Sequence, residues 1–151
     1  MTTSPNGIIM IQTFEGLKLN AYEDVVGVDT IGYGSTYYQD GSKVKLGQSI
    51  TKSEAEALLK HSLKQFEGNV LALLNGIKVN QNQFDALVSF AYNLGTGALA
   101  KSMLLKKIKV NHNDPTIAAE FTKWVMGGGV RLTGLVRRRK KEAELYFKPI
   151  V

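Results

Sequence analysis

Over most of this chain apolar residues recur at helical spacing, but between residues 17 and 47 the spacing changes to short alternation. Ser4-Pro5-Asn6 pairs a cap candidate with a proline ahead of Ile8, Ile9, Ile11 and Phe14, which predicts a helix with those four on its buried side. Gly16 stops it and leaves Glu15 at its C-terminal end. The pieces LKLNAY, VDTIGYG and KVKLG, separated by EDVVG and QDGS, predict a small antiparallel sheet with glycine turns.

Helical spacing then returns. Thr51-Lys52-Ser53-Glu54 matches a capping box, and Ala55, Leu58, Leu59, Ser62, Leu63, Phe66 and Val70 carry one long helix to about residue 74. Asn80 or Gln81 opens the next, with Phe84, Leu87, Val88 and Ala91 on one face and Leu94-Gly95 as its end. Residues 97–110 form a shorter helical stretch. Asp114-Pro115 starts another, whose apolar face holds Ile117, Ala118, Phe121, Trp124 and Val125. Gly127-Gly128-Gly129 breaks the chain, and a very basic helix follows from Leu135 to Phe147. A small early sheet followed by helices makes the fold class α+β, in one domain over residues 1–151.

Composition narrows the chemistry. There is no cysteine, and His61 and His112 are the only histidines, so thiolate chemistry is excluded and a Ser-His-Asp triad or multi-histidine zinc site is disfavoured. No metal or other cofactor is expected. No apolar run reaches the ~18 residues that span a bilayer. The start, MTTSPNGIIMIQTFEG, has no basic stretch and does not read as a secretion signal.

The net charge of +6 is unevenly placed: residues 1–100 hold 7 basic and 9 acidic residues, whereas residues 101–151 hold 12 and 4. Such a field favours polyanions, whether nucleic acid, anionic lipid or an acidic wall polymer. An apolar stripe of residues 135, 136, 143, 146 and 147 leaves much of the basic run on the other face, and for Arg137, Arg138 and Arg139 the plain reading is a solvated face that attracts an anionic polymer.

Residues 14–36 carry the candidate chemistry. Most acids in a hairpin are simply solvated. Glu15, however, closes a helix, where the negative end of the macrodipole disfavours a carboxylate, and burial beside Phe14 would favour its protonated form. Asp24 sits in a polar turn, a surrounding unlike that expected for Glu15. Two carboxylates in contrasting surroundings are what glycoside hydrolysis uses. Thr30 offers a hydroxyl to a water, and Gly32 and Gly34 let a bulky polymer approach the backbone.

Glu15, eight residues, Asp24, five residues, Thr30 and then IGYG resembles the active-site signature of the phage lysozymes (endolysins) of glycoside hydrolase family twenty-four. The resemblance continues through SFAYNLGTGAL (89–99), EFTKWV (120–125) and GLVRRRKKEAELY (134–146), in order along nearly the whole chain. The family often has His after TIGYG; Ser35 stands there in this chain, so no histidine role is carried over.

The resemblance implies a lysozyme-like fold: a sheet lobe over about 16–50, a helical lobe from the first helix and about 51–151, and a cleft between them. It implies hydrolysis of the β-1,4 bond between N-acetylmuramic acid and N-acetylglucosamine in peptidoglycan, with inversion, leading to host cell lysis. Glu15 would be the general acid, Asp24 would support developing positive charge and help activate water, and Thr30 would hold that water. Gly34, Ser35 and Thr36 would line the sugar track, and Asn93 would bind acetamido sugars unless it is only a polar residue at a helix end. An arginine of the last helix would orient Glu15. The enzyme is expected to act as a monomer and to stay in the host cytoplasm until a holin opens the membrane.

Three alternatives remain. The basic C-terminal region could bind nucleic acid, although no specific recognition motif is present. It could engage anionic membrane or lipopolysaccharide. A lytic transglycosylase would use one acid and no water, which Asp24 and Thr30 argue against. Trp124 shares a face with Phe121 and Ile117, so core packing is favoured over sugar stacking.

Overall fold

Helix α1 (Pro5–Glu15) begins where the sequence places it: the Ser4 hydroxyl accepts from Gly7 N at 3.2 Å, and the Ser4 carbonyl accepts from Ile8 N at 2.9 Å. It ends because Gly16 takes φ +72°, a left-handed conformation that favours glycine, and closes the last turn by donating to Gln12 O at 2.9 Å. Ile11 is fully buried, but Ile9 is 59% exposed. The sequence expectation is corrected there: at 100° per residue, Ile8, Ile9 and Ile11 cannot all face inward. The computed structural model describes residues 1–151.

Strands β1 (Lys18–Glu23) and β2 (Asp29–Gly32) pair antiparallel, with Lys18 opposite Gly32, Tyr22 opposite Thr30 and Glu23 opposite Asp29. Three residues of β1 (19–21) lie between the first two pairs, against Ile31 alone on β2, so the strand is bulged just before Tyr22. The third expected strand, KVKLG, does not form; it contributes only the isolated bridge of Lys43 to Tyr37. The Asp40–Ser42 turn explains this, since Asp40 Oδ1 accepts from both the amide and the hydroxyl of Ser42 and favours a tight loop over a ladder.

Helix α2 (Lys52–Leu74) opens with the predicted reciprocal box: Glu54 N donates to Thr51 Oγ1 at 3.1 Å, and Thr51 N donates to Glu54 Oε1 at 3.0 Å. Helix α3 (Gln81–Leu94) repeats the device with Asn80 and Gln83. The single stretch expected over 97–110 is instead α4 (Thr96–Lys101) and α5 (Met103–Val110). Ser102 divides them, donating to Leu99 O at 2.7 Å and accepting from Leu105 N at 3.0 Å. A side chain that ends one helix and caps the next offers the backbone an alternative to continuation.

Helix α6 (Ile117–Phe121) is shorter than its apolar pattern suggests and stops before Trp124. Gly128 and Gly129 form the turn that joins two short antiparallel strands, β3 (Met126–Gly127) and β4 (Val130–Arg131). Helix α7 (Thr133–Phe147) completes the chain. The fold is therefore α+β, with two small antiparallel sheets among helices. No helix is long and apolar enough to cross a membrane.

Two compact units are distinguishable: residues 9–65, and residues 1–8 with 66–151. In the first, Ile31, Val44 and Leu58 form a buried cluster joined by Ala21, Tyr38 and Ile50. In the second, Phe84, Leu87, Phe90, Leu99, Leu104, Ile117, Phe121 and Tyr146 are buried, with Phe90 edge-on to both Phe121 and Trp124. Truncating such a leucine to alanine costs about 2–5 kcal/mol.

Candidate active site

The unit formed by residues 9–65 contains Glu15, Asp24 and Thr30. Glu15 is the last residue of α1 and is half-buried. Asp24 follows the end of β1 and heads a tight loop into β2. Its Oδ1 accepts from Val26 N and from Val28 N, both at 2.9 Å. Its own amide donates to Val28 O at 2.9 Å, and its carbonyl accepts from Gly27 N at 3.0 Å. The loop is thus organised around one carboxylate oxygen. Oδ2 makes no hydrogen bond within the protein and is left to solvent or ligand.

Thr30 is 3% exposed, and its hydroxyl donates to Val28 O at 2.9 Å. That bond uses the hydroxyl proton, so toward a water Thr30 Oγ1 acts as an acceptor. The sequence suggested a hydroxyl that could both donate and accept; the structure commits the donor. Val28 therefore joins the two residues: its amide holds Asp24, and its carbonyl receives both Asp24 N and Thr30 Oγ1.

Tyr22 was not singled out by the sequence. It stands directly opposite Thr30 in the ladder and is half-buried. Burial raises its phenol above the ordinary tyrosine value, with the negative charges of Glu15 and then Asp24 adding to the rise. One side chain thus senses both acids. The only advance signal was its position two residues before Asp24, on the strand face opposite Ala21.

The remaining candidates divide. Gly34 takes φ +88°, as the hairpin turn between Ile31 and Ser35 requires, and it is half-exposed. Ser35 is 3% exposed, with its hydroxyl 3.5 Å from Ser62 Oγ, so its side chain lies inside the unit. Thr36 lines a shallow open pocket with Val28, Asp29, Tyr37 and Lys43. Asn93 belongs to the other unit, where its Oδ1 accepts from Arg139 Nη2 at 2.7 Å. No His, Asp and Glu side chains gather in threes as a metal-ligand set.

The basic helix α7 corrects another expectation. Arg138 and Arg139 are 3% and 0% exposed, not part of a solvated face. They converge on the fully buried Glu142: Arg139 Nε lies 2.8 Å from Oε1, and Arg138 Nε lies 3.4 Å from Oε2. Ser89 Oγ donates to the same Oε2 at 2.6 Å. Burial pushes the Glu142 carboxyl above its ordinary range, against the pull of Arg139 and then Arg138. Arg137, Lys140 and Lys141 remain exposed, so any polyanion attraction rests on a smaller set than the charge count implied.

Comparison with known proteins follows the same lines. The family model described as phage lysozyme matches residues 12–142. The endolysin of Bacillus phage B103 is 45% identical over 97% of this chain, and the endolysin of Salmonella phage P22 is 37% identical over 95% of this chain and 97% of its own length. The chain spans 54% of the Bacillus phage B103 protein. Among solved structures, an endolysin from Escherichia coli O157:H7 phage FAHEc1 superposes with a TM-score of 0.89 at 38% identity, covering 97% of this chain and 94% of that one. The muramidase domain of SpmX from Asticaccaulis excentricus gives 0.86 at 33%, covering 98% and 99%.

Proposed function

The chain belongs to the phage lysozyme family, and from that premise we propose that it is a muramidase acting on bacterial peptidoglycan. The bond cleaved is the β-1,4 link from N-acetylmuramic acid to N-acetylglucosamine. The observation that carries this reading is the shared Val28 anchor, which organises Asp24 and Thr30 in the same unit as the helix-end Glu15.

In this reading Glu15 protonates the leaving glycosidic oxygen as the C–O bond breaks. Positive charge develops on the sugar, and Asp24 stabilises it electrostatically. A water donates one hydrogen to Thr30 Oγ1, whose own proton is already given to Val28 O. Its other hydrogen goes to Asp24 Oδ2, the oxygen not used by the loop. The water's lone pair is then directed at the anomeric carbon. The water oxygen bonds to that carbon with inversion, Asp24 takes the released proton, and solvent exchange restores both acids. General acid–base assistance of this kind contributes about 10²–10⁴-fold.

The experiment is to digest purified peptidoglycan and identify the new ends by mass and by borohydride reduction. Reducing muramic acid ends are expected. Reducing glucosamine ends would shift the cleavage to the other glycosidic bond, and anhydro-muramic ends would make the protein a lytic transglycosylase.

A further inference from the structure

We propose that Tyr22 is a further substrate-contacting residue of this site, its phenol O–H donating to a sugar oxygen of the glycan beside Glu15 and Asp24. The proposal rests on the muramidase reading for the identity of the ligand, and on three structural observations for the residue.

The first is register. Tyr22 lies opposite Thr30, so the two side chains project from the same face of the two-stranded sheet. Thr30 is the residue assigned to hold the water. The neighbouring Ala21 goes the other way, into the cluster of Ile31, Val44 and Leu58.

The second is the bulge. Residues 19–21 of β1 oppose only Ile31 of β2, and regular pairing resumes at Tyr22. A bulge re-aims the side chain that follows it, and bulges occur next to active sites for that reason. Without these extra residues the alternation of the strand would run differently through Tyr22.

The third is the hydroxyl itself. Tyr22 is half-buried, yet its hydroxyl makes no hydrogen bond within the protein. By contrast, Tyr38 Oη donates to Gln48 Oε1 and Tyr146 Oη donates to His112 O, both at 2.7 Å. Tyrosine hydroxyls usually find a partner when buried, and a glycan that covered Tyr22 would supply one here. A phenol is a donor at neutral pH in any case, and burial, followed by the charges of Glu15 and Asp24, raises this one further.

The test uses Tyr22→Phe, which removes one oxygen and keeps the ring. On soluble glycan-strand fragments, kcat/KM should fall by about tenfold or more, the loss expected for one hydrogen bond that strengthens as charge develops. The melting temperature should hold, since the hydroxyl has no partner in the protein to lose. Binding is measured separately, with Glu15→Gln and tyrosine ring-labelled protein: adding the same fragments should shift the Tyr22 Cζ resonance. Wild-type kcat/KM for Tyr22→Phe together with an unmoved resonance would overturn the proposal while leaving the muramidase reading intact. A shifted resonance with no cleavage by wild type would overturn the muramidase reading and leave the contact standing. Neither binding nor cleavage would overturn both.

Discussion

Asp24 and Val28 hold each other in both directions: Asp24 N donates to Val28 O, and Val28 N donates to Asp24 Oδ1, each at 2.9 Å. The candidate carboxylate is therefore also the clamp of its own loop, and its two roles separate by mutation. Asp24→Asn keeps an oxygen that accepts both loop amides but loses the charge. It should melt close to wild type while losing about 10²–10³ in kcat. Asp24→Ala should lose activity to a similar degree and also about 1–2 kcal/mol of stability, for the two amide bonds it abandons. Parallel melting curves and steady-state rates on both variants check the separation.

Thr30 permits a similar division. Thr30→Val preserves shape but cannot donate to Val28 O or accept from water, and kcat should fall by about tenfold or more, the factor that roughly 1.4 kcal/mol represents. Thr30→Ser keeps the hydroxyl and should retain most of the activity. Equal rates for the valine and serine variants would remove the hydroxyl from the account.

The two charges that act on Tyr22 give a spectroscopic prediction. Glu15 and Asp24 both raise its phenol, so replacing either by its amide should lower the Tyr22 titration. Burial is the larger cause and remains, so neither variant should bring it down to the ordinary value of about 10. Carbon NMR of labelled tyrosine across alkaline pH reads this directly. An unchanged titration in both variants would contradict the shared field.

The buried ion pairs of α7 make a stability prediction. Glu142 receives Arg139, Arg138 and Ser89, and each partner has been removed from water to reach it. Glu142→Ala leaves buried guanidinium charge without this carboxylate and should cost about 3–5 kcal/mol. Denaturant titration of the variant checks the figure.

Tyr146 sets an alkaline limit. It is fully buried, donates to His112 O at 2.7 Å, and its phenol is strongly raised by burial. The folded chain holds this proton more tightly than the unfolded chain. The associated stability is complete below about pH 10, the unfolded value, and is lost as pH climbs toward the folded one. Tyr146→Phe should be somewhat less stable at neutral pH and should lose less stability on going from pH 9 to pH 11. Denaturant melts at the two pH values measure it.

Much of the fold was legible because its signals are local. The Thr51 and Asn80 capping boxes and the Gly16 stop act within one turn of chain, so α1, α2 and α3 begin and end where the sequence predicts. The failures occurred where a side chain competes with the backbone or where burial depends on distant residues. Ser102 splits a helix that periodicity draws as one. Arg138 and Arg139 look like solvated charge until Glu142, three and four residues on, and Ser89 of α3 are brought to them. Glu15, Asp24 and Thr30 became candidates through the likeness of their spacing to a family signature, whereas the pairing of Tyr22 with Thr30 depends on a bulge that leaves no mark in the residue types.

The central claim is that Glu15 supplies the proton on which glycan cleavage depends. The most direct measurement is the initial rate of reducing-end release from purified peptidoglycan by wild type and Glu15→Gln at equal concentration, with melting curves run alongside. The account predicts the same fold and a rate lower by about 10²–10⁴-fold in the variant. A folded Glu15→Gln protein that releases ends at the wild-type rate would contradict it.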